Sequence, residues 1–584
     1  MPRPGAFERQ LRLPFLSFQI RLARPALALA LSLPAVAWLV PNHSPPWMAA
    51  WNDAVALAGL ALALMLLRRA TAVSGVWLVL SGGAAAMVVW QVASGKIYFG
   101  GDGWMAVLYL CAFLGAVVVG GAVAPAEDGN DDGGLGIWLI AVAAAAVLSV
   151  GVALVQWSMA LDLGIWVFEM AHWQRPYANV GQPNHFSTIC FLGLVSLGYL
   201  HQVRSIGALG FWVGAAWMMA GIVMSGSRTG WLQVIALAVG LCCLTGRSSL
   251  RLSRPALLAL PVVLAAWAAL WPWLGRAMLM AEARSAASTS SAGTRPEHWS
   301  SLVAALVEQP WTGYGWQQVS VAQFRVAADR PWVGEFIEHS HNFVLDLLVW
   351  NGIPAGLTLC ALAAWWFVMR WGACRDGRVA WLLAGATGLL IHAMLEYPLD
   401  YAYFLIPFGL FLGSVDRLQA GERSIRFTSR TVLAAGAIFT AALLVTGREA
   451  LESEQSFRVL RLEAARVGVA RIQSPEPGLH LLTQLLAFQR FVRTEAQPDM
   501  TPSQLDEMRK VAERFSQPAV LFRYALASAL NGDAFAARGA LVRLCKVHPR
   551  MRCLEAAEGW SQAQHKYPSL KEIPAPSVPP DTDR

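Results

Sequence analysis

Two histidines bracket a serine in Glu338-His339-Ser340-His341-Asn342, at the end of a long polar loop and just before an apolar run beginning Phe343-Val344-Leu345. Imidazole is the side chain best suited to take or hold a proton near neutral pH. Ionisable groups at the mouth of a membrane bundle are costly, which makes the segment a functional-site hypothesis. The spacing alone is equally met by histidines that mark a membrane interface. Further polar groups lie in loops expected on the same side. Arg175, Gln182, Asn184 and His185 fall within Arg175-Pro176-Tyr177-Ala178-Asn179-Val180-Gly181-Gln182-Pro183-Asn184-His185. Arg228 opens an apolar run, Arg295 lies in Gly293-Thr294-Arg295-Pro296-Glu297-His298-Trp299, and Glu396, Tyr397 and Tyr401 follow another run. Such a set suits an anionic, lipid-linked substrate. The arginine fork binds phosphate oxygens in pairs and keeps its charge. Fixed arginines would stabilise charge growing on a departing diphosphate, while a neutral imidazole could accept the proton of an attacking hydroxyl. Arginines at span ends also anchor helices to headgroups, and on the residues alone both readings stay open for Arg175, Arg228 and Arg295.

The elements that position these groups are membrane spans. The chain has 584 residues, is 56% hydrophobic and only 14% charged, and contains 26 Trp. With a mean hydropathy of +0.46, its repeated runs of about 20 apolar residues read as spanning helices rather than a soluble core. The net charge of +8 comes from arginines in short loops between these runs, the mark of cytoplasmic connections. There is no basic face interleaved with stacking aromatics, which argues against nucleic acid.

The expected fold is an all-α polytopic membrane protein of about 13 spans, oriented by the arginine bias. Residues 1–24, with Arg3, Arg9, Arg12, Arg21 and Arg24, form a cytoplasmic basic N-terminus, and residues 25–447 form the membrane domain. Arg68-Arg69, Arg204, Arg247 to Arg254, Arg370 to Arg378 and Arg417 to Arg430 mark inner connections; Glu127 to Asp132 is an acidic inner loop. The site residues all fall in outer loops, the largest being 275–340. A basic start followed by Ala35-Val36-Ala37 mimics a cleavable leader, but the length of the basic segment and Pro41 favour a retained anchor.

After Gly447 the chain becomes more charged and helically periodic. Residues 448–565 read as an outer helical region with Ala-rich packing positions, similar to a tetratricopeptide unit but without a clean period of about 34 residues; a simple helical cap fits as well. Residues 566–584, rich in Pro, are expected to be a disordered tail. Six of the 8 cysteines lie in or beside spans as apolar filler; Cys545 and Cys553 lie in the outer region, where a structural disulfide is expected in an oxidising compartment. No zinc spacing, nucleotide-binding loop or outer Asp-x-Asp pair is present, so neither metal nor other cofactor is expected.

The order of Gly181-Gln182-Pro183-Asn184-His185, Ser225-Gly226-Ser227-Arg228-Thr229-Gly230, Arg295 with Trp299, Thr312-Gly313-Tyr314-Gly315 and His339-Ser340-His341-Asn342 resembles the O-antigen ligase and polymerase superfamily. Glu396-Tyr397-Pro398-Leu399-Asp400 and the long outer C-terminal region look like its PglL-type protein O-oligosaccharyltransferases. The resemblance covers roughly Arg175 to Phe411. It implies a GT-C-like glycosyltransferase of the bacterial inner membrane with a periplasmic site and no metal. The donor it implies is an oligosaccharide on undecaprenyl diphosphate; the acceptor is a Ser or Thr hydroxyl of an exported, pilin-like protein. By the family's pattern His341, Arg295 and Arg228 are catalytic. Gln182 and Tyr397 are further candidates, and His339 would orient its neighbour. Asn184, His185, Arg175 and Glu396 complete the expected substrate-binding set. The alternatives are a lipid A-core ligase or a polymerase on the same fold, and a transporter or scaffold. The last would place ionisable groups mid-span or break paired helices, whereas here polar groups gather at the outer ends.

Overall fold

The computed structural model describes residues 14–67, 69–125, 133–159, 161–170, 174–278, 294–419, 424–464 and 475–579. The acidic loop 127–132, Arg68 and the first arginines of the N-terminus lie outside these residues. Among the described residues, nine α-helices precede the large loop: α1 (Pro14–Val36), α2 (Ala50–Leu66), α3 (Gly75–Ala93), α4 (Gly100–Val123), α5 (Gly134–Ser158), α6 (Pro183–Gln202), α7 (Ala208–Ser225), α8 (Arg228–Leu244) and α9 (Arg254–Ala277). Within the loop lie α10 (Arg295–Glu308) and α11 (Val319–Val326). The bundle resumes with α12 (Phe343–Ala373), α13 (Gly377–Ala393), α14 (Ala402–Leu418) and α15 (Ser429–Ala464). A helix thus occupies each segment expected to span. Among the described residues, 7 helices are long and apolar enough to cross a membrane, and α2, α8 and α13 are shorter apolar helices. The protein is an all-α, multi-pass membrane protein.

Connections alternate between two ends of the bundle. At one end β1 (Thr71–Ser74) pairs antiparallel with β2 (Ser424–Phe427), an element the sequence did not announce. At the same end Gln202 Nε2 donates to Ser249 O (2.7 Å), Arg251 Nη1 to His201 O (2.8 Å), and Ser249 N to Arg375 O (3.1 Å). These are the arginine-bearing connections. The opposite end gathers the residues singled out for chemistry.

Helix ends are set by local chemistry. Gly226, at φ +59°, ends α7 in the left-handed conformation that glycine adopts without a Cβ clash. Asn342 accepts from Leu345 N (3.2 Å) to cap α12. Gly352, at φ +77°, divides α12 into Phe343–Asn351 and Ile353–Ala373, and Ile353 N turns to Pro310 O (2.7 Å). Between α4 and α14 the helices meet on small residues. A Cβ on Gly413 would collide with the Val117 carbonyl, and one on Gly120 with that of Leu410. In lipid such close backbone approach is the main source of helix cohesion, because no water is released by apolar contact.

The C-terminal region grows directly from α15, so the boundary expected near residue 447 lies inside one continuous helix. Buried Glu449 on that helix accepts from the backbone N–H groups of His480, Leu481 and Leu482 (3.0, 2.8 and 2.9 Å). Helices α16 (Thr483–Arg493), α17 (Pro502–Arg514), α18 (Pro518–Leu530), α19 (Ala534–Val547) and α20 (Arg550–Lys566) follow. Their core contains Val511, Leu521, Leu544 and Trp560, together with Phe99 and Phe324 from the membrane domain. A disulfide joins Cys545 to Cys553. The expectation of a disordered tail fails up to residue 579. Trp560 Nε1 and Gln564 Nε2 hold Ile573 O (3.0 and 2.7 Å), and Leu570 and Ile573 are buried. Two apolar anchors among the prolines outweigh the composition.

Gly413→Val should disrupt the α4–α14 interface. Its melting temperature in detergent should fall clearly, whereas Gly82→Ala, whose Cβ would meet open space, should melt like the parent.

Candidate active site

Glu396, in the short turn after α13, is the hub of the site. Its Oε1 accepts from Arg295 Nη2 (2.6 Å) and Asn184 Nδ2 (3.1 Å), and its Oε2 lies 3.5 Å from His341 Nε2. Asn184 Oδ1 in turn accepts from Ser227 Oγ (2.7 Å), the residue before Arg228. One carboxylate therefore joins the large loop, the start of α6 and the α7–α8 turn. Arg175 supports that turn by donating from Nη1 to Gly226 O (3.0 Å). Arg228, exposed, is the first residue of α8, one step from this chain of bonds.

The loop carrying the histidines is held in an unusual shape. His341 has φ +57°, a left-handed conformation that costs a non-glycine residue about 1–3 kcal/mol unless its surroundings enforce it. Here they do. Ser340 N donates to Asp346 Oδ1 (2.8 Å), Ser340 Oγ donates to Asn342 O (2.8 Å), and Trp299 Nε1 donates to Ser340 O (2.8 Å). Earlier in the loop Glu335 accepts from Thr294 Oγ1 (2.5 Å) and lies 3.1 Å from His298 Nε2. The His298 hydrogen bond is the main cause that holds the Glu335 carboxyl down at about 2. His339 stacks on Tyr397 (ring centroids 4.3 Å apart, 18° between planes), with its Nδ1 3.4 Å from Asp400 Oδ2. Tyr397 also meets the His341 ring edge-on at 5.3 Å. Burial pushes the Tyr397 phenol up to about 12.

The electrostatics favour a neutral imidazole. Burial first, then the Arg295 charge and His339, lower His341 to about 4, with Glu335 pulling the other way. The Glu396 carboxyl is raised by burial, against the pull of Arg295 and Arg175. A neutral His341 could accept a proton beside the Arg295 guanidinium that shares its carboxylate. Such a pair can deprotonate a hydroxyl while nearby cations receive an anionic leaving group.

Sequence-selected residues thus divide in two. Arg295, His341, His339, Glu396, Tyr397 and Asn184 converge, and Arg228 and Arg175 flank them through the α7–α8 turn. Gln182 and His185 hold structural posts: Gln182 Oε1 accepts from His185 N (2.7 Å) to cap α6, and the buried His185 ring points to Tyr403 Oη (3.0 Å). Asp346 and Glu335 escaped the sequence reading, and Asp400 entered it only as the end of a motif. An aspartate four residues into an apolar run was the available signal for Asp346.

The fold and this end-on site define a class: a multi-pass membrane enzyme with a cationic, imidazole-bearing centre at one end of its bundle. Comparison with known families sharpens it. Residues 176–201 match the family described as protein glycosylation ligase, 213–360 the O-antigen ligase family, and 380–564 the family described as virulence factor membrane-bound polymerase, C-terminal. The chain is 26% identical over 538 residues to a general O-oligosaccharyltransferase of Acinetobacter baylyi, covering 90% of this chain and 92% of that protein. It is 30% identical over 255 residues to a ComP-specific O-oligosaccharyltransferase of the same organism, covering 43% and 45% of the two chains. No solved structure matches significantly. The chain is thus a glycosyltransferase-type membrane enzyme, similar over most of its length to a general O-oligosaccharyltransferase and, over its matched segments, to the O-antigen ligase and protein glycosylation ligase families.

With His341 as proton acceptor, its working form is complete above about pH 5 and is lost as pH falls through about 4. The acid limb of kcat/KM, which reports the free enzyme, should therefore have its midpoint near 4. A midpoint near the ordinary imidazole value of about 6.5 would contradict the site as described.

Proposed function

We propose that the protein transfers an oligosaccharide en bloc from undecaprenyl diphosphate to Ser or Thr hydroxyls of exported proteins of the pilin kind. His341 takes the proton of the acceptor hydroxyl as its oxygen attacks the anomeric carbon. The new C–O bond forms as the bond to the diphosphate breaks, with inversion, and the lipid diphosphate leaves with the electron pair. Arg295 and Arg228 neutralise the charge that accumulates on it, the part a metal ion plays in other transferases. Glu396 orients both Arg295 and His341, while His339 and Tyr397 wall the site. Arg175 and Asn184 shape the donor side, where Gln182 and His185 act by fixing the head of α6.

The observation that carries this reading is the meeting of His341, just before α12, and Arg295, at the head of α10, on the carboxylate of Glu396, which follows α13. The site end lies opposite the arginine-bearing connections, which the charge rule assigns to the cytoplasm. That arrangement supports a reaction on the periplasmic side of a bacterial inner membrane. The Cys545–Cys553 bond supports the same side, since such bonds persist in oxidising compartments. Residues 25–447 then form the transferase domain and 448–565 a periplasmic helical region that receives the acceptor.

Co-expression with a lipid-linked glycan pathway and a candidate pilin should raise the pilin's intact mass by one glycan. Glycan appearing on lipopolysaccharide with an unmodified pilin would instead establish a lipid A-core ligase. His341→Ala and Arg295→Ala should abolish transfer yet insert normally. Arg228→Lys should lose about 10-fold or more in turnover despite keeping its charge, because lysine cannot make the paired phosphate contact.

A further inference from the structure

The helical C-terminal region does more in this structure than extend outward from α15. The last residue of α17, Arg514, reaches back to the membrane domain and is nearly enclosed, its side chain 11% exposed. Its Nε and Nη2 donate to the two carboxylate oxygens of Asp102 at the start of α4 (3.1 and 3.3 Å). Its Nη1 donates to Ser320 Oγ and to Glu338 Oε1 (both 3.3 Å). Glu338 immediately precedes His339-Ser340-His341. One guanidinium therefore ties a membrane helix, α11 and the histidine loop together. The planar fork serves several acceptors at once, which lysine cannot do.

The same face of the region grips the loop elsewhere. Val333 N and Gly334 N donate to Lys546 O (3.0 and 3.2 Å), Trp332 Nε1 to His548 O (3.0 Å), and Arg543 Nε to Phe324 O (2.7 Å). Next to Arg514, buried Glu513 accepts from Arg325 Nη2 (3.1 Å) and bonds the Tyr98 hydroxyl. The strained backbone at His341 needs such restraint from both sides. Trp299, Thr294 and Asp346 supply one side, and α17 and α19 supply the other.

We propose that Arg514 is a positioning residue of the transferase: through Glu338 it holds the His339–His341 segment in its reactive shape, so the helical region completes the active site. This rests on His341 being the proton acceptor. Freed from Arg514, the segment should relax from its left-handed turn, solvate the imidazole and misplace it. A misplacement on the order of 1 Å lowers rates by about 100-fold.

The test is steady-state transfer by full-length purified enzyme to a purified pilin acceptor, for Arg514→Met, Arg514→Lys and Glu338→Gln. Expected are kcat losses of about 10- to 100-fold for Arg514→Met and smaller ones for the other two. Acceptor KM should hold, and the acid limb of kcat/KM should move up from about 4 toward the ordinary imidazole value. Glu338, with its side chain 55% exposed, can be changed without threatening the fold, so Glu338→Gln decides if Arg514→Met fails to accumulate. Raised acceptor KM at parental kcat would overturn the proposal and make the region an acceptor dock only. Parental kcat and pH profile in all three variants would overturn it too. Full activity in His341→Ala would mark failure of the underlying base assignment, whereas an inactive His341→Ala beside parental Glu338→Gln would mark failure of this inference alone.

Discussion

A single carboxylate, largely withdrawn from water, organises the functional end of this molecule. Glu396 must offset the cost of its own burial, and it does so by accepting from Arg295 and Asn184. A buried charge is tolerable only when its partners are fixed, so the turn after α13, the start of α6 and the head of α10 are forced into one place. The bundle exists around this point as a scaffold. The small-residue seam between α4 and α14 and the strand pair at the far end fix the helices, and the helices fix the loops.

The second organising constraint is backbone strain. A left-handed histidine persists because Ser340, Asp346 and Trp299 leave it no cheaper conformation. Strain of this kind concentrates where a side chain must be aimed rather than merely accommodated. It also explains why the loop is anchored along its length, with Glu335 on α10 and residues 332–334 on α19. A loop left to its own entropy would not hold an imidazole against a carboxylate.

Legibility in the sequence followed the strength of the underlying forces. Long apolar runs fixed the helices, because the lipid penalty on unpaired backbone leaves little else possible. His341 and Glu396 stood out as ionisable groups at the ends of apolar runs, whereas Arg295, one of many arginines at span ends, was picked out by its resemblance to a family pattern. What stayed hidden depends on tertiary contact. The strand pair β1–β2 joins residues far apart in the chain, and nothing local in Thr71–Ser74 announces its partner. His185 looked like a site residue beside Asn184, yet the helix rotation of about 100° per residue carries its ring inward to Tyr403. The tail looked disordered by composition, and Leu570 and Ile573 folded it. Arg514 was invisible for the opposite reason: a lone arginine in a charged helix is ordinary until its three acceptors are seen.

The break at Gly352 has a consequence for where the chemistry stands relative to the bilayer. Ile353–Ala373 contains 21 residues, about 30 Å of helix, which is the thickness of a hydrocarbon layer. The other piece, Phe343–Asn351, does not extend that helix but folds back against it, where a Cβ on Gly356 would meet the Leu347 carbonyl, so the histidine loop is brought beside the head of the span. A sugar-bearing lipid would have to raise only its polar head to that height, its chain staying submerged. A bulky, folded recipient could meet it there without entering the membrane at all.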